Sequence, residues 1–410
     1  LWGGLFARLL EGAAQVRNGT DWALFLLPLA GLAVVWLYRR GGIKTAGGTD
    51  LIIQAARGEQ PVSRLLAPVI FAATLLTHCF GGSAGREGAA LQLGGSLAEL
   101  VRKGVKMGEE FQDLAIMCGM SAAFSALFGT PLAATVLSME ISTVGVMYYS
   151  SLVPCAVSAL TAHFVAQVIN PGSEAMLLSA VPAFHVRDAV CTGLFAWACA
   201  LVSILFATSM HSSKKLLQKY FPNDYIRVAV SGVIIVVLTL LVGDQTYNGT
   251  GSNIIASCIE NPTFKLAFYA FLLKILFTAV TLSAGFKGGE VVPSFFVGAT
   301  FGCVAGPLLG IPAGFAAALG LAAVFCGATN CPLASIFLSV ELFGDGGLLY
   351  FALICGISYM LSGYNGLYSS QTIVYSKLKA QYINVRTNAY HAGEPVPPFQ
   401  QGGGEETERD

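Results

Sequence analysis

Residues 131–140 read Pro-Leu-Ala-Ala-Thr-Val-Leu-Ser-Met-Glu, and residues 332–341 read Pro-Leu-Ala-Ser-Ile-Phe-Leu-Ser-Val-Glu. Proline, leucine, alanine, serine and glutamate fall at the same spacings in both copies. Each copy runs nine residues from its proline to the residue before its glutamate. At ~1.5 Å per residue that is about half the ~20 residues a helix needs to cross a bilayer. The pattern therefore predicts short helices that enter or break within a membrane rather than span it. Upstream, Glu87 of Gly85-Arg86-Glu87 stands 44 residues before Pro131, and Glu290 of Gly288-Gly289-Glu290 stands 42 before Pro332. Two halves thus each carry a glycine-flanked glutamate followed by a short Pro-Leu-Ala helix. Duplicated bundles with interrupted helices build their sites at the repeat interface, near the membrane midplane.

Composition agrees with a membrane setting. Charged residues are 11% of the 410 and hydrophobic residues 55%, with a mean hydropathy of +0.67. Soluble domains carry ~25% charge, and a soluble fold of this size could not cover its surface with less than half of that. Secreted disulfide scaffolds, disordered chains and cytosolic enzymes are excluded, leaving an all-α polytopic membrane protein. Apolar stretches fall at 22–38, 65–80, 111–128, 148–169, 189–209, 226–243, 264–284, 303–325 and 347–361. Three basic clusters follow spans: Arg39, Arg40 and Lys44; Arg102, Lys103 and Lys106; Lys214, Lys215 and Lys219. The positive-inside rule places them in the cytoplasm. The chain opens at Leu1 in apolar sequence, which predicts a preceding segment, and nothing there reads as a cleavable signal with a basic start.

Several chemistries find no support. A formal net charge of zero points to no nucleic acid. The ten cysteines sit in apolar stretches as small hydrophobes, and the five histidines show no ligand spacing. No metal or cofactor is expected. The aspartates lie mostly at span edges and no serine sits in a Gly-x-Ser-x-Gly elbow, so the chain does not read as an enzyme. Asn-Gly-Thr sequons at Asn18 and Asn248 read as turn chemistry ahead of glycosylation.

Glu87 lies in Gly85-Arg86-Glu87-Gly88, before a helical run. Glycines bare the backbone N–H groups at a helix start, and the helix dipole makes that end attractive to anions. A tethered carboxylate can occupy such a place itself, and its protonation would release it, linking proton to anion movement. The plainer reading is a capping glutamate in a loop. Glu290, after Gly288-Gly289 and before Pro293, repeats the arrangement. A carboxylate inside a membrane tends to be protonated or paired, and Lys287 is the alternative partner. Thr49 offers a hydroxyl or an ordinary N-cap. Tyr368 offers a phenol or an interfacial belt residue. Glu140 and Glu341 read as wetted helix ends.

At these residues the chain resembles the CLC family of chloride channels and anion/proton antiporters, over essentially its whole length. The family's Gly-Lys/Arg-Glu-Gly-Pro segment is matched by Gly85 to Gly88, with Ala89 for proline. Its Gly-Gly-x-Phe-x-Pro segment is matched by Gly288, Gly289 and Pro293, with Val291 for phenylalanine. Its ion-coordinating tyrosine falls on Tyr368, and Thr49 falls on the serine of its Gly-Ser-Gly-Ile-Pro segment. The resemblance implies a multi-pass cell-membrane homodimer with one pore per subunit, built as a CLC-type inverted-repeat bundle with broken and re-entrant helices. It divides the chain into a first membrane repeat (1–186), an inverted second repeat with the final pore helix (187–377), and a polar cytoplasmic tail without a regulatory domain (378–410). Glu87 and Glu290 become gate and proton-transfer residues. Thr49, Gly85, Arg86, Gly88, Gly288, Gly289, Val291, Val292 and Tyr368 become the anion-binding set. Ile141 stands where chloride/proton antiporters of the family place an internal proton-transfer glutamate, and Glu290 replaces an apolar residue, as in the fluoride/proton antiporter branch. The implied activity is movement of fluoride and/or chloride in exchange for protons. The alternative is a passive, voltage-gated chloride channel, which the missing internal glutamate supports.

Overall fold

The chain is seen in a computed structural model that describes residues 2–43, 47–169, 181–261, 266–378 and 382–388, with Met176, Leu178 and Phe264. Eight helices come from the first half: α1 (Trp2–Asn18), α2 (Leu27–Arg40), α3 (Asp50–Ala55), α4 (Leu66–Cys79), α5 (Glu87–Gly104), α6 (Gln112–Phe128), α7 (Pro131–Glu140) and α8 (Leu152–Ile169). Eight come from the second: α9 (Val186–Tyr220), α10 (Asp224–Val242), α11 (Ser252–Glu260), α12 (Ala270–Ala284), α13 (Val291–Ala305), α14 (Ala313–Thr329), α15 (Pro332–Phe343) and α16 (Leu348–Leu361). Among the described residues, six helical runs are long and apolar enough to cross a membrane. Their outer faces are apolar too: Leu194, Trp197, Leu201 and Leu205 make an exposed stripe along α9, as a surface facing lipid requires.

Local chemistry explains the short helices. Gly129 (φ 71°) ends α6 and Asn330 (φ 60°) ends α14, both left-handed, and Pro131 and Pro332 start the next helix two residues later. Each chain half therefore stops, turns and re-enters at the same place. Paired helices then cross at backbone contact. A Cβ on Gly94 of α5 would lie 2.2 Å from the Gly119 carbonyl oxygen of α6, and one on Gly298 of α13 would lie 2.2 Å from the Gly320 oxygen of α14. Without a hydrophobic drive between helices in lipid, such close approach supplies the packing energy.

Contacts between the halves are reciprocal, as a two-fold relation produces. Gly85 N–H donates to the Gly289 carbonyl at 2.7 Å, and Gly289 N–H donates to that of Gly85 at 2.7 Å. Glu341, at the far end of α15, accepts from Leu132 N–H (2.9 Å) and Ala133 N–H (2.8 Å) at the start of α7. Glu140, at the end of α7, accepts from Leu333 N–H (3.3 Å) and Ala334 N–H (2.9 Å) at the start of α15. These carboxylates are not wetted ends. Each caps the other re-entrant helix, because a helix start inside a membrane has donors and no water to satisfy them.

Other expectations change for identifiable reasons. The apolar run 303–325 is not one helix: α13 gives way to a 3-10 turn, Gly306–Leu309, before α14, since Pro307 and Pro312 withhold N–H groups there. Helix α1 lies outside every apolar stretch because Arg8, Glu11 and Arg17 interrupt it. Lys214, Lys215 and Lys219 lie within the last turns of the 35-residue α9, not in a loop. Asn248 is buried, with its amide donating to the Gly81 carbonyl at 2.8 Å, so that sequon is a structural turn. Part of the expected polar tail is ordered: strand β3 (Tyr382–Arg386) pairs antiparallel with β2 (Thr372–Tyr375), which pairs parallel with β1 (Thr143–Val144). Lys44 and residues 389–410 lie outside the described residues.

Beside that sheet, the buried Gln371 side chain joins the halves. Its amide donates to the Ile141 carbonyl (2.9 Å) after α7 and to the Thr329 carbonyl (2.8 Å) at the end of α14. Its oxygen accepts from Asn330 Nδ2 at 2.9 Å.

Candidate functional site

The Gly85–Gly289 bridge brings the starts of α5 and α13 tip to tip. The approach is close enough that a Cβ on Gly289 would lie 2.4 Å from the Gly88 nitrogen, so side chains are excluded where the two backbones meet. Glu87 opens α5 yet does not cap it. Its side chain is fully buried, and Oε2 accepts from Val292 N–H in the first turn of α13 at 3.3 Å. The carboxylate thus sits on the N-terminus of a helix from the other half, at the position where an anion would bind. Oε1 has no hydrogen-bond partner and lies 3.8 Å from Arg86 Nε. Arg86 also reaches Glu11 at 3.4 Å.

Two cavities are lined by residues that flank this seat. On the side of Lys214 and Arg227, a cavity of about 80 Å³ is lined by Gly48, Thr49, Gln92, Lys287, Gly288, Glu290 and Tyr368, among others. Glu290, at the N-cap of α13, presents an Oε2 with no partner. Tyr368 is 1% exposed with its hydroxyl unpaired, which removes the interfacial-belt reading. Thr49 holds the N-cap position of α3 but makes no capping bond with its side chain. Its Oγ1 faces Gly88, where a Cβ would come within 2.6 Å. The Lys287 ammonium lies 4.3 Å over the Tyr38 ring. A second cavity, of about 450 Å³, is lined by Arg86, Val292, Arg17, Glu11, His78 and His163, among others.

The expected residues therefore divide. Thr49, Gly288, Glu290 and Tyr368 line one cavity, Arg86 and Val292 line the other, and Glu87 is buried and lines neither, although it is bonded to Val292 and flanked by Arg86. Gly85, Gly88 and Gly289 form the backbone seam. Val291 lines neither cavity and is core, 1% exposed.

Two residues escape the sequence reading. Gln92 donates to the Gly88 carbonyl at 3.1 Å and leaves Oε1 unpaired at the smaller cavity. Its spacing of four from Gly88 on one helix was the available signal. Asp50 accepts from Ser369 Oγ (2.7 Å), Ser370 N–H (2.9 Å) and Ser370 Oγ (2.7 Å). It ties the Thr49 loop to the Tyr368 loop across more than 300 residues, a contact no local pattern reveals.

The voltage gated chloride channel family model matches residues 30–363. A chloride/fluoride channel protein of Pseudomonas syringae pv. tomato is 35% identical over 380 residues, covering 91% of this chain and 83% of that protein. Among solved structures, a CLC-type fluoride/proton antiporter matches with a TM-score of 0.86 and 31% identity, over 90% of this chain and 93% of its own. A slow cyanobacterial chloride/proton antiporter matches with a TM-score of 0.76 over 88% of this chain and 90% of its own; at 18% identity it speaks for the fold alone.

Proposed function

The chain belongs to the voltage-gated chloride channel (CLC) family, and from that premise we propose that it moves fluoride and/or chloride across the cell membrane in exchange for protons. Glu87 is the gate and Glu290 its partner on the cytoplasmic side, where Lys214 lines the smaller cavity. The working unit is a homodimer of chains whose repeats are residues 1–186 and 187–377.

What carries this reading is the seat of Glu87. Its carboxylate and a dehydrated anion compete for the same N–H group at the start of α13. Protonation removes the charge that holds the side chain there, so one proton in frees one anion site. Glu290 supports exchange over passive flow, because it sets a second carboxylate beside the inner cavity with an oxygen that nothing in the protein satisfies. Fluoride is small and tightly hydrated, so its site must replace water with dense donors. The bare N–H groups where two helix starts meet are of that kind. The named relatives, a chloride/fluoride channel protein and a fluoride/proton antiporter, support the same halide. Coupling matters because a potential of 100 mV is worth ~2.3 kcal/mol per charge.

A passive channel is the second reading, and Ile141 favours it: 1% exposed and apolar, it cannot carry a proton. Anion efflux from proteoliposomes, followed with fluoride and chloride electrodes and an external pH probe, separates the two. Proton uptake that tracks fluoride efflux against an imposed gradient is expected. Anion flux without proton movement would establish the channel instead.

A further inference from the structure

An acidic side chain, Asp50, lines the smaller cavity together with Thr49, Glu290 and Tyr368. A fixed carboxylate repels anions, so a wall that admits them gains nothing from its charge. A place in the first turn of α3 suits a carboxylate through the helix dipole. That accounts for where the residue stands but not for its partners, which belong to the other half of the molecule. Asp50 Oδ1 accepts from Ser370 N–H (2.9 Å) and Ser370 Oγ (2.7 Å), and Oδ2 accepts from Ser369 Oγ (2.7 Å). Ser370 is buried, so its donors depend on this acceptor.

The two loops that Asp50 joins are supported unequally. On the Tyr368 side, Leu367 N–H donates to the Ala328 carbonyl at 2.8 Å, at the end of α14. Asn388 Nδ2 donates to the Gly366 carbonyl (3.0 Å), and Gly366 N–H donates to Asn388 Oδ1 (3.3 Å). The Tyr368 carbonyl accepts from Gln371 N–H at 3.1 Å. That loop is built into the scaffold. On the Thr49 side, Gly47 and Gly48 lead in, Gly48 at φ 49°, and the Thr49 hydroxyl caps nothing. Ile52 and Ile53 bury the rest of α3 in the core. Among the described residues, the hydrogen bonds between this loop and that of Tyr368 are those of Asp50. Asp50 adjoins Thr49 and Ser369 adjoins Tyr368, so the clasp sits one peptide away from two residues that line one cavity.

We propose that Asp50 is a positioning residue for halide selection: with Ser369 and Ser370 it fixes the separation of Thr49 and Tyr368 and so sets the preference for fluoride over chloride. The proposal rests on the halide-transport reading. A site distinguishes a small ion from a larger one only if its walls cannot move apart to suit the larger. Thr49 and Tyr368 come from different halves of the chain and could part, and the clasp resists that. Three donors also disperse the charge on Asp50, which makes the carboxylate a tie and not a barrier.

The test is the ratio of fluoride to chloride efflux from proteoliposomes holding the full chain, a quantity independent of how much protein has inserted. Ser369→Ala combined with Ser370→Ala leaves the charge in place and removes two of the three bonds. Asp50→Ala removes the charge and the clasp together, whereas Asp50→Asn removes the charge and keeps a carbonyl oxygen for Ser370 N–H. In the double serine variant and in Asp50→Ala the ratio is expected to fall about tenfold, less than the ~100-fold that a misplacement of about 1 Å can cost. Asp50→Asn is expected to stay close to wild type. An unaltered ratio in the double serine variant, with Asp50→Ala and Asp50→Asn shifted alike, would show that the charge and not the clasp governs, and would overturn the proposal. Ser370→Ala alone keeps the test readable should the double variant fail to fold: a smaller fall is expected, and an unaltered ratio overturns the clasp. A wild type that passes both halides alike overturns the role in selection alone, and one that moves neither overturns it together with the transport reading.

Discussion

Two pairs of glutamates occupy matching positions in the halves of this molecule, and they behave differently. Glu140 and Glu341 mirror each other: each lies at the end of a re-entrant helix and each accepts two N–H bonds from the start of the other. Glu87 and Glu290 also match in sequence, yet only Glu87 reaches across to the other half, while Glu290 turns to the inner cavity. A closed, satisfied pair has no spare lone-pair partner to exchange and acts as a clasp. An open pair keeps unsatisfied oxygens, one on each residue, and on the exchange reading those lone pairs are where a proton would bind. Symmetry in this fold builds the scaffold, and departure from symmetry builds the site.

Substitutions can break this contrast. The largest effect is expected for Glu87→Gln, which should lower proton movement by about a hundredfold, the scale of losing a positioned proton-transfer group. Anion efflux should persist, as electrode and pH recordings on one preparation would show. Next come Glu140→Ala and Glu341→Ala, each expected to cost about 2–4 kcal/mol of stability, since two N–H groups lose a charged acceptor. Melting in detergent should fall alike for both, and unequal losses would disprove the clasp's symmetry. Glu290→Gln should leave melting unchanged while slowing exchange roughly tenfold, equivalent to about 1.4 kcal/mol. A melting loss matching that of Glu140→Ala would make Glu290 a structural carboxylate after all. Tyr368→Phe should have the smallest effect, a twofold to threefold change in anion affinity and under about 1 kcal/mol, because the hydroxyl it removes makes no bond within the protein.

The same contrast explains what was legible in the sequence. The Pro-Leu-Ala repeat marks both re-entrant helices because their start and length are local properties, written in a proline, a preceding turn residue and nine following positions. Glycine-flanked glutamates mark the helix starts for the same reason. What Glu140 and Glu341 do is not local. A glutamate ending a short helix looks the same in sequence whether water or a distant N–H satisfies it, so the wetted-end reading was the natural one and the fold overturns it. Helix α1 is hidden by its charges, although Arg17 and Glu11 line the larger cavity, where a charge on a helix is no sign of an aqueous loop. The 303–325 run shows the converse error. Hydropathy reports apolar surroundings but not direction, and the marks of the turn were Gly306-Pro307, Gly310 and Pro312.

The Gln371 amide has a consequence for the order in which the protein is made. Carbonyls at Ile141 and Thr329 emerge from the ribosome 230 and 42 residues before the side chain that satisfies them. Until that side chain arrives, the ends of both re-entrant corners are incomplete, however well each half has inserted. Synthesis of the segment after α16 is therefore the step that completes the first half as well as the second, and a nascent chain stopped at Leu361 would hold all sixteen of the helices described and still lack the closure that makes them one protein.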